Sequence, residues 1–125
     1  MEESKKKILI IEDDQTVQTV LKLVFTEAGY QVFAALDAMQ GVMLAKQIKP
    51  NLIVLDIMMP AGGGFVVYER LKMISSSFPI PFLIYSSMDP SVIRKKIPED
   101  SSVTILSKSS NITALREAAA KLIAG

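Results

Sequence analysis

A chain of 125 residues is about the size of one compact domain, and no break in composition divides it. Half its residues are hydrophobic and the mean hydropathy is +0.34, yet no apolar run approaches the ~20 residues of a membrane span or the core of a secretory leader. With 14 basic and 13 acidic residues, no cysteine and no histidine, the chain is a poor fit to nucleic-acid binding by bulk charge, thiol chemistry, the usual zinc sites, Ser-His-Asp hydrolysis or phosphohistidine donation.

The first element is Lys7-Ile8-Leu9-Ile10-Ile11, aliphatic at nearly every position, which predicts a strand buried on both faces and so a parallel sheet between helices. It ends in Glu12-Asp13-Asp14. The period then changes: Val17, Val20, Leu21, Val24 and Ala28 recur at helical spacing up to Gly29. Asp14 reads as an N-terminal capping residue of that helix. Gln31 to Ala35 predicts a second strand, and Asp37 an N-cap for a helix carrying Ala38, Val42 and Ala45 that ends before Pro50.

Leu52-Ile53-Val54-Leu55 repeats the buried-strand pattern and again ends in a carboxylate, Asp56. A loop over 57–63 follows, containing Pro60 and entering three consecutive glycines, and Phe65 to Ile74 predicts the third helix. Pro81 to Tyr85 is the fourth strand, running into Ser86-Ser87. Pro90 to Ile97 predicts a short helix stopped by Pro98. Val103 to Leu106 is the fifth strand, followed by Lys108. Asn111 caps a last helix with Ile112, Leu115, Ala119 and Leu122-Ile123 on its apolar side. The order is βαβαβαβαβα, an α/β chain that predicts a doubly wound five-stranded parallel sheet with five helices, in a single domain over residues 1–125.

In open sheets of this kind ligands sit outside the carboxyl ends of the strands. Those ends carry Glu12, Asp13 and Asp14, then Asp56, then Ser86 and Ser87, then Lys108. Taken singly each is an ordinary turn, cap or surface charge; four strand ends converging on one rim make a usable site. Crowded carboxylates repel one another unless some stay protonated or a cation sits between them. A set of oxygen donors without nitrogen or sulfur suits Mg²⁺, Mn²⁺ or Ca²⁺. A hydroxyl and an ammonium beside it suit phosphate oxygens, leaving Asp56 as a nucleophile able to form an aspartyl phosphate. The first β-to-α turn has no glycine-rich phosphate loop, and the run of glycines from 62 to 64 reads as a turn before a helix.

KILIIEDD, PNLIVLDIMMPAGGGF, PFLIYSS and the Lys-centred SKSS together resemble the CheY-like receiver domain of bacterial two-component response regulators, from Lys7 to Ile123. The 43-residue step from Asp13 to Asp56, the 30-residue step to Ser86 and the 22-residue step to Lys108 fit that family's layout. The resemblance implies a flavodoxin-like (βα)5 receiver fold with Asp56 as phosphoryl acceptor. It implies that Asp13 is the principal Mg²⁺ carboxylate, that Glu12 acts through the metal's water, and that Met58 contributes a backbone carbonyl. Ser86 would bond the phosphoryl group and shift on activation, and Lys108 would pair with Asp56 and then with the phosphate. It further implies a cytoplasmic phosphoprotein rather than a metabolic enzyme, assisting its own phosphorylation and dephosphorylation. The donor would be a histidine kinase or histidine phosphotransfer protein, and the output a downstream protein target reached through the fourth and fifth strands and the helix between them. Neither nucleic acid nor membrane is expected to be bound by this domain.

Three positions depart from the family pattern. Ile105 stands where an aromatic residue is usual. Ser109 stands where a cis proline is usual, and because a cis bond there would cost about 2.5–4 kcal/mol a trans bond or a rebuilt loop is expected. Ser87 replaces a small apolar residue and offers a second hydroxyl near the phosphate. Met58 and Met88 stand at the positions expected to flank the line of water attack, which predicts slow autodephosphorylation; the alternative is that both are exposed loop residues with no such part. Among other readings, a degenerate receiver that binds partners without phosphorylation draws on Ile105 and Ser109, against the full set of acids with Ser86 and Lys108. An aspartyl-phosphate hydrolase of the haloacid-dehalogenase kind would want a carboxylate where Met58 stands. A flavodoxin-like FMN protein would want a hydroxyl-rich loop in place of the acids after the first strand.

Overall fold

A computed structural model describes residues 4–59, 63–74 and 79–125. The elements alternate in the predicted order: β1 (Lys7–Ile11), α1 (Gln15–Glu27), β2 (Gln31–Ala35), α2 (Ala38–Ile48), β3 (Leu52–Leu55), α3 (Gly63–Ile74), β4 (Phe82–Ser86), α4 (Pro90–Lys96), β5 (Val103–Ser107) and α5 (Ile112–Ala124). All strand pairs are parallel and the sheet runs β2-β1-β3-β4-β5.

The aliphatic runs form central strands because both of their faces are covered. Alternation along each strand sends Leu9, Ile11, Ile53, Leu55, Phe82 and Ile84 into one layer under α2, α3 and α4. Their neighbours Ile8, Ile10, Val54, Leu83 and Tyr85 enter the opposite layer under α1 and α5. Tyr68 of α3 meets Phe82 of β4 edge-on with ring centroids 4.8 Å apart, which fixes that helix over the sheet. Asp14, Asp37, Asp89 and Asn111 cap α1, α2, α4 and α5, each side chain accepting from backbone amides of the first turn that have no partner within the helix.

Several boundaries and faces differ from the sequence expectation. The buried stripe of α1 is Gln18, Leu21, Val24 and Phe25, while Val20 lies at its margin and is 49 % exposed. Ile112, expected on the apolar side of α5, is likewise exposed at the first residue of the helix, and the buried stripe is Leu115, Ala119 and Leu122. β4 starts one residue late: Pro81 has no N–H, though its carbonyl still accepts from Ile53. It extends to Ser86, which pairs with Ser107 of β5. α4 ends at Lys96, and Ile97 follows it as a fully buried cap residue ahead of Pro98.

α3 begins at Gly63 rather than Phe65; residues 60–62 of the preceding loop lie outside the described residues. Gly64 explains the early start. Its amide donates to the Ile57 carbonyl at 2.8 Å, and a Cβ there would overlap the Asp56 carbonyl oxygen and the Ile57 Cα, both backbone atoms. Helix and strand end therefore touch backbone to backbone, which a side chain forbids. Gly41 of α2 is also close-packed, but against the side chain of Ile11. Gly64→Ala is accordingly expected to lower unfolding free energy by about 1–3 kcal/mol, and Gly41→Ala by less, because the Ile11 side chain can change rotamer where a backbone cannot move aside. Urea denaturation of the two variants beside the parent checks the order.

Candidate functional site

The carboxyl edge of the sheet gathers the predicted residues. The Glu12 amide continues the β1–β2 ladder by donating to the Ala35 carbonyl at 3.1 Å, so the side chain starts from a rigid position and is 2 % exposed. Asp13 is exposed, and Asp14 turns away to cap α1, its Oδ1 accepting from the Thr16 and Val17 amides at 2.8 and 3.1 Å. The Asp56 amide donates to the Ile11 carbonyl at 3.2 Å, which ties the end of β3 to the end of β1. One carboxylate oxygen from each of Glu12, Asp13 and Asp56 falls within 4.8 Å of the others.

Lys108 closes the group from the β5–α5 loop. Its Nζ lies 2.8 Å from Glu12 Oε1 and donates to Asp56 Oδ2 at 3.1 Å. The Met58 amide donates to Asp56 Oδ1 at 3.0 Å, and the Asp14 amide to Glu12 Oε2 at 3.2 Å. Asp56 is thus buried, at 4 % exposure, with each oxygen held by a different donor. Glu12 Oε1 has a close ion contact but no well-directed hydrogen bond.

Three carboxylates face one ammonium, and the electrostatics show the strain. Burial pushes the Glu12 carboxyl up to about 7, with Asp56 adding to the rise and the close Lys108 ammonium and the Asp14 amide opposing it. Burial alone would lower the Lys108 ammonium, but its close contacts with the Glu12 and Asp56 carboxylates and their charges outweigh that, and it stands above the ordinary lysine value. An all-oxygen donor set with a buried, poorly bonded Glu12 oxygen and excess negative charge fits a hard divalent cation such as Mg²⁺.

Ser86 ends β4 on the same rim and is buried; its Oγ accepts from the Met88 amide at 3.2 Å, and its carbonyl accepts from the Lys108 amide at 3.0 Å. Ser87 is exposed and donates to the Met58 sulfur at 3.4 Å, so its hydroxyl links the two loops that follow β3 and β4. Met58 is exposed, whereas Met88 is half-buried and packs on the layer under α2, α3 and α4. Among the described residues no peptide bond is cis, so Lys108–Ser109 is trans as expected.

Two residues at the site were not singled out by the sequence. Gln18, buried on α1, donates from Nε2 to the carbonyls of Glu12 and Ala35 at 3.3 and 3.2 Å and so anchors the acidic turn. A glutamine inside an otherwise apolar helical stripe is its sequence signal. Tyr85 donates its hydroxyl to the Lys108 carbonyl at 3.2 Å from the opposite layer of the core.

A parallel sheet of this order, with carboxylates, a hydroxyl and a lysine at its carboxyl edge, defines the CheY-like class of α/β domain. Vibrio cholerae chemotaxis protein CheY4 has the same fold, with a TM-score of 0.86 at 20 % identity over 95 % of this chain and 99 % of that one. The response regulator receiver domain model matches residues 8–120, and the chain belongs to that family. It is 38 % identical over 82 residues to the DNA-binding dual master transcriptional regulator RpaA of Synechocystis sp. (strain ATCC 27184 / PCC 6803 / Kazusa), over 66 % of this chain and 34 % of the relative. It is 27 % identical over 119 residues to sporulation initiation phosphotransferase F of Bacillus subtilis (strain 168), over 94 % of each. The chain spans about a third of the length of the transcriptional regulators it matches. It is a receiver domain of the two-component signalling kind. Among the described residues no helix is long and apolar enough to cross a membrane.

The raised Glu12 value has a stability consequence with a definite sign. Between 4.5 and about 7 the folded state keeps a proton that the unfolded chain releases, so this group lowers stability as pH rises through that window. In buffer free of divalent cations the urea midpoint of Glu12→Gln is expected to vary less across those values than that of the parent. Equal slopes would remove burial of this carboxylate as the cause.

Proposed function

We propose that residues 1–125 form one receiver domain that accepts a phosphoryl group on Asp56 from a phosphohistidine. The observation that carries this reading is the Asp56 carboxylate itself: buried, with Oδ2 on the Lys108 ammonium and Oδ1 on the Met58 amide, inside the Glu12–Asp13–Asp56 cluster. An Asp56 oxygen attacks phosphorus in line while the bond to the donor imidazole breaks. Lys108 follows the developing charge from the carboxylate to a phosphoryl oxygen, and the Ser86 hydroxyl leaves the Met88 amide to donate to another. Asp13 and Asp56, with Glu12 acting through water and the Met58 carbonyl, would hold Mg²⁺, which when bound supplies charge neutralisation on those oxygens.

The domain has no histidine, so the donor is a separate group on a cytoplasmic histidine kinase or histidine phosphotransfer protein. The acyl phosphate then biases β4, α4 and β5 between two arrangements that a downstream protein reads. The domain is a signalling acceptor that assists its own phosphoryl transfer and hydrolysis, and with a net charge of +1 it leaves any nucleic-acid contact to other parts of a regulator.

Incubation with acetyl phosphate and Mg²⁺ is expected to add one phosphoryl mass to the intact chain. The increment should need the cation and vanish in Asp56→Asn. No increment, where another receiver labels readily, would leave a phosphorylation-independent interaction module. Once labelled, the domain should dephosphorylate slowly: Met58, two residues after the acceptor, presents an exposed thioether held by the Ser87 hydroxyl, and an apolar side chain there would hinder attacking water. Met58→Asn is expected to speed loss of the label several-fold and Met88→Asn to do so less, since Met88 is partly engaged in the core. Decay followed by mass at fixed Mg²⁺ decides between apolar shielding and no effect.

A further inference from the structure

We infer that the Tyr85 hydroxyl positions Lys108 for phosphoryl transfer by holding its backbone from the far side of the sheet. The inference rests on the acceptor reading above and extends it to a residue outside the acidic pocket. Lys108 must place its ammonium against Glu12 and Asp56 at the same time, from a loop that leaves β5 through Ser107 and enters α5 at Ile112. Its backbone is fixed at both ends. The amide donates to the Ser86 carbonyl at 3.0 Å, and the carbonyl accepts from the Tyr85 hydroxyl at 3.2 Å.

Successive residues of β4 therefore serve the same loop from opposite faces. Ser86 contributes its carbonyl to the Lys108 amide and its hydroxyl to the rim, while Tyr85 reaches through the layer packed under α1 and α5. The tyrosine is 9 % exposed, and burial raises its hydroxyl above the ordinary tyrosine value, which keeps it a donor. A buried phenol without a partner is costly, so its bond to that carbonyl is a fixed point rather than a surface contact. The remaining bonds of the loop are local: Ser107 and Ser109 hydroxyls lie 2.8 Å apart, the Ser109 amide donates to Ser107 Oγ at 3.1 Å, and the Ser110 amide to the Ser107 carbonyl at 2.9 Å. These shape the turn but do not tie it to the sheet. That tie comes from β4, through Ser86 and Tyr85.

Tyr85→Phe keeps the ring and its packing and removes only the donor. Labelling by acetyl phosphate at saturating donor and Mg²⁺ is expected to slow roughly three- to tenfold, the scale of one lost hydrogen bond acting through geometry, with half-saturating donor and Mg²⁺ concentrations unchanged. In a Lys108→Ala background the same change should cost nothing further, because Tyr85 acts through that ammonium. The Lys108 carbonyl carbon and the Ser109 amide nitrogen should also shift in NMR spectra of unphosphorylated Tyr85→Phe, a reading that needs no phosphoryl transfer. Equal losses in the two backgrounds, an unchanged labelling rate, or unmoved Lys108–Ser109 resonances would each overturn the role. A parent chain that does not label at all overturns the acceptor reading and this role with it; a parent that labels beside an unaffected Tyr85→Phe overturns the role alone.

Discussion

Glu12 and Asp56 are two carboxylates buried at the ends of adjacent strands, and the ammonium of Lys108 is what lets them coexist there. Buried charges demand partners, and here three loops are held in register to supply them: β1–α1 brings Glu12, β3–α3 brings Asp56 and the Met58 amide, β5–α5 brings Lys108. The compensation is incomplete, as the high Glu12 value records. A pocket that is short of positive charge in its resting arrangement is suited to a cation and to the charge redistribution of phosphoryl transfer.

Much of this was legible in the chain. Aliphatic runs that end in acids announce buried parallel strands, and the topology of such sheets then gathers Glu12, Asp13, Asp56, Ser86 and Lys108 on one edge. Residues whose work depends on contacts distant in sequence were less visible. Tyr85 reads as one more apolar strand residue, because its partner is a backbone carbonyl 23 positions away, and carbonyls leave no trace in a sequence. Val20 misled because a β-branched residue at the margin of a helical stripe fits the period as well as one at its centre. Gly64 reads as part of a turn because consecutive glycines usually do; the approach of Asp56 and Ile57 backbone that requires it is a tertiary fact.

Ser86 and Tyr85 also show how a parallel strand connects two layers that share no side chains. One residue faces the rim and the next lies in the core beneath α1 and α5, yet both bond to Lys108. The lysine loop is therefore bonded to the strand from both faces of the sheet. No aromatic residue stands at position 105, where Ile105 is half-buried against the layer under α2, α3 and α4; the aromatic side chain bonded to the lysine loop is Tyr85 of β4.

The place of β3 in the sheet has a last consequence. It is the middle strand of five, and Leu52, Ile53, Val54 and Leu55 are all buried, whereas β2 and β5 form the edges and are largely half-exposed. Amide hydrogens of β3 should therefore exchange with solvent only when the whole domain opens, and those of the edges through smaller, more frequent fluctuations. The strand that leads to Asp56 should then belong to the slowest-exchanging part of the molecule, and the strand that leads to Lys108 to a faster one. A rearrangement of β5 can then be cheap in free energy without loosening the base on which Asp56 stands.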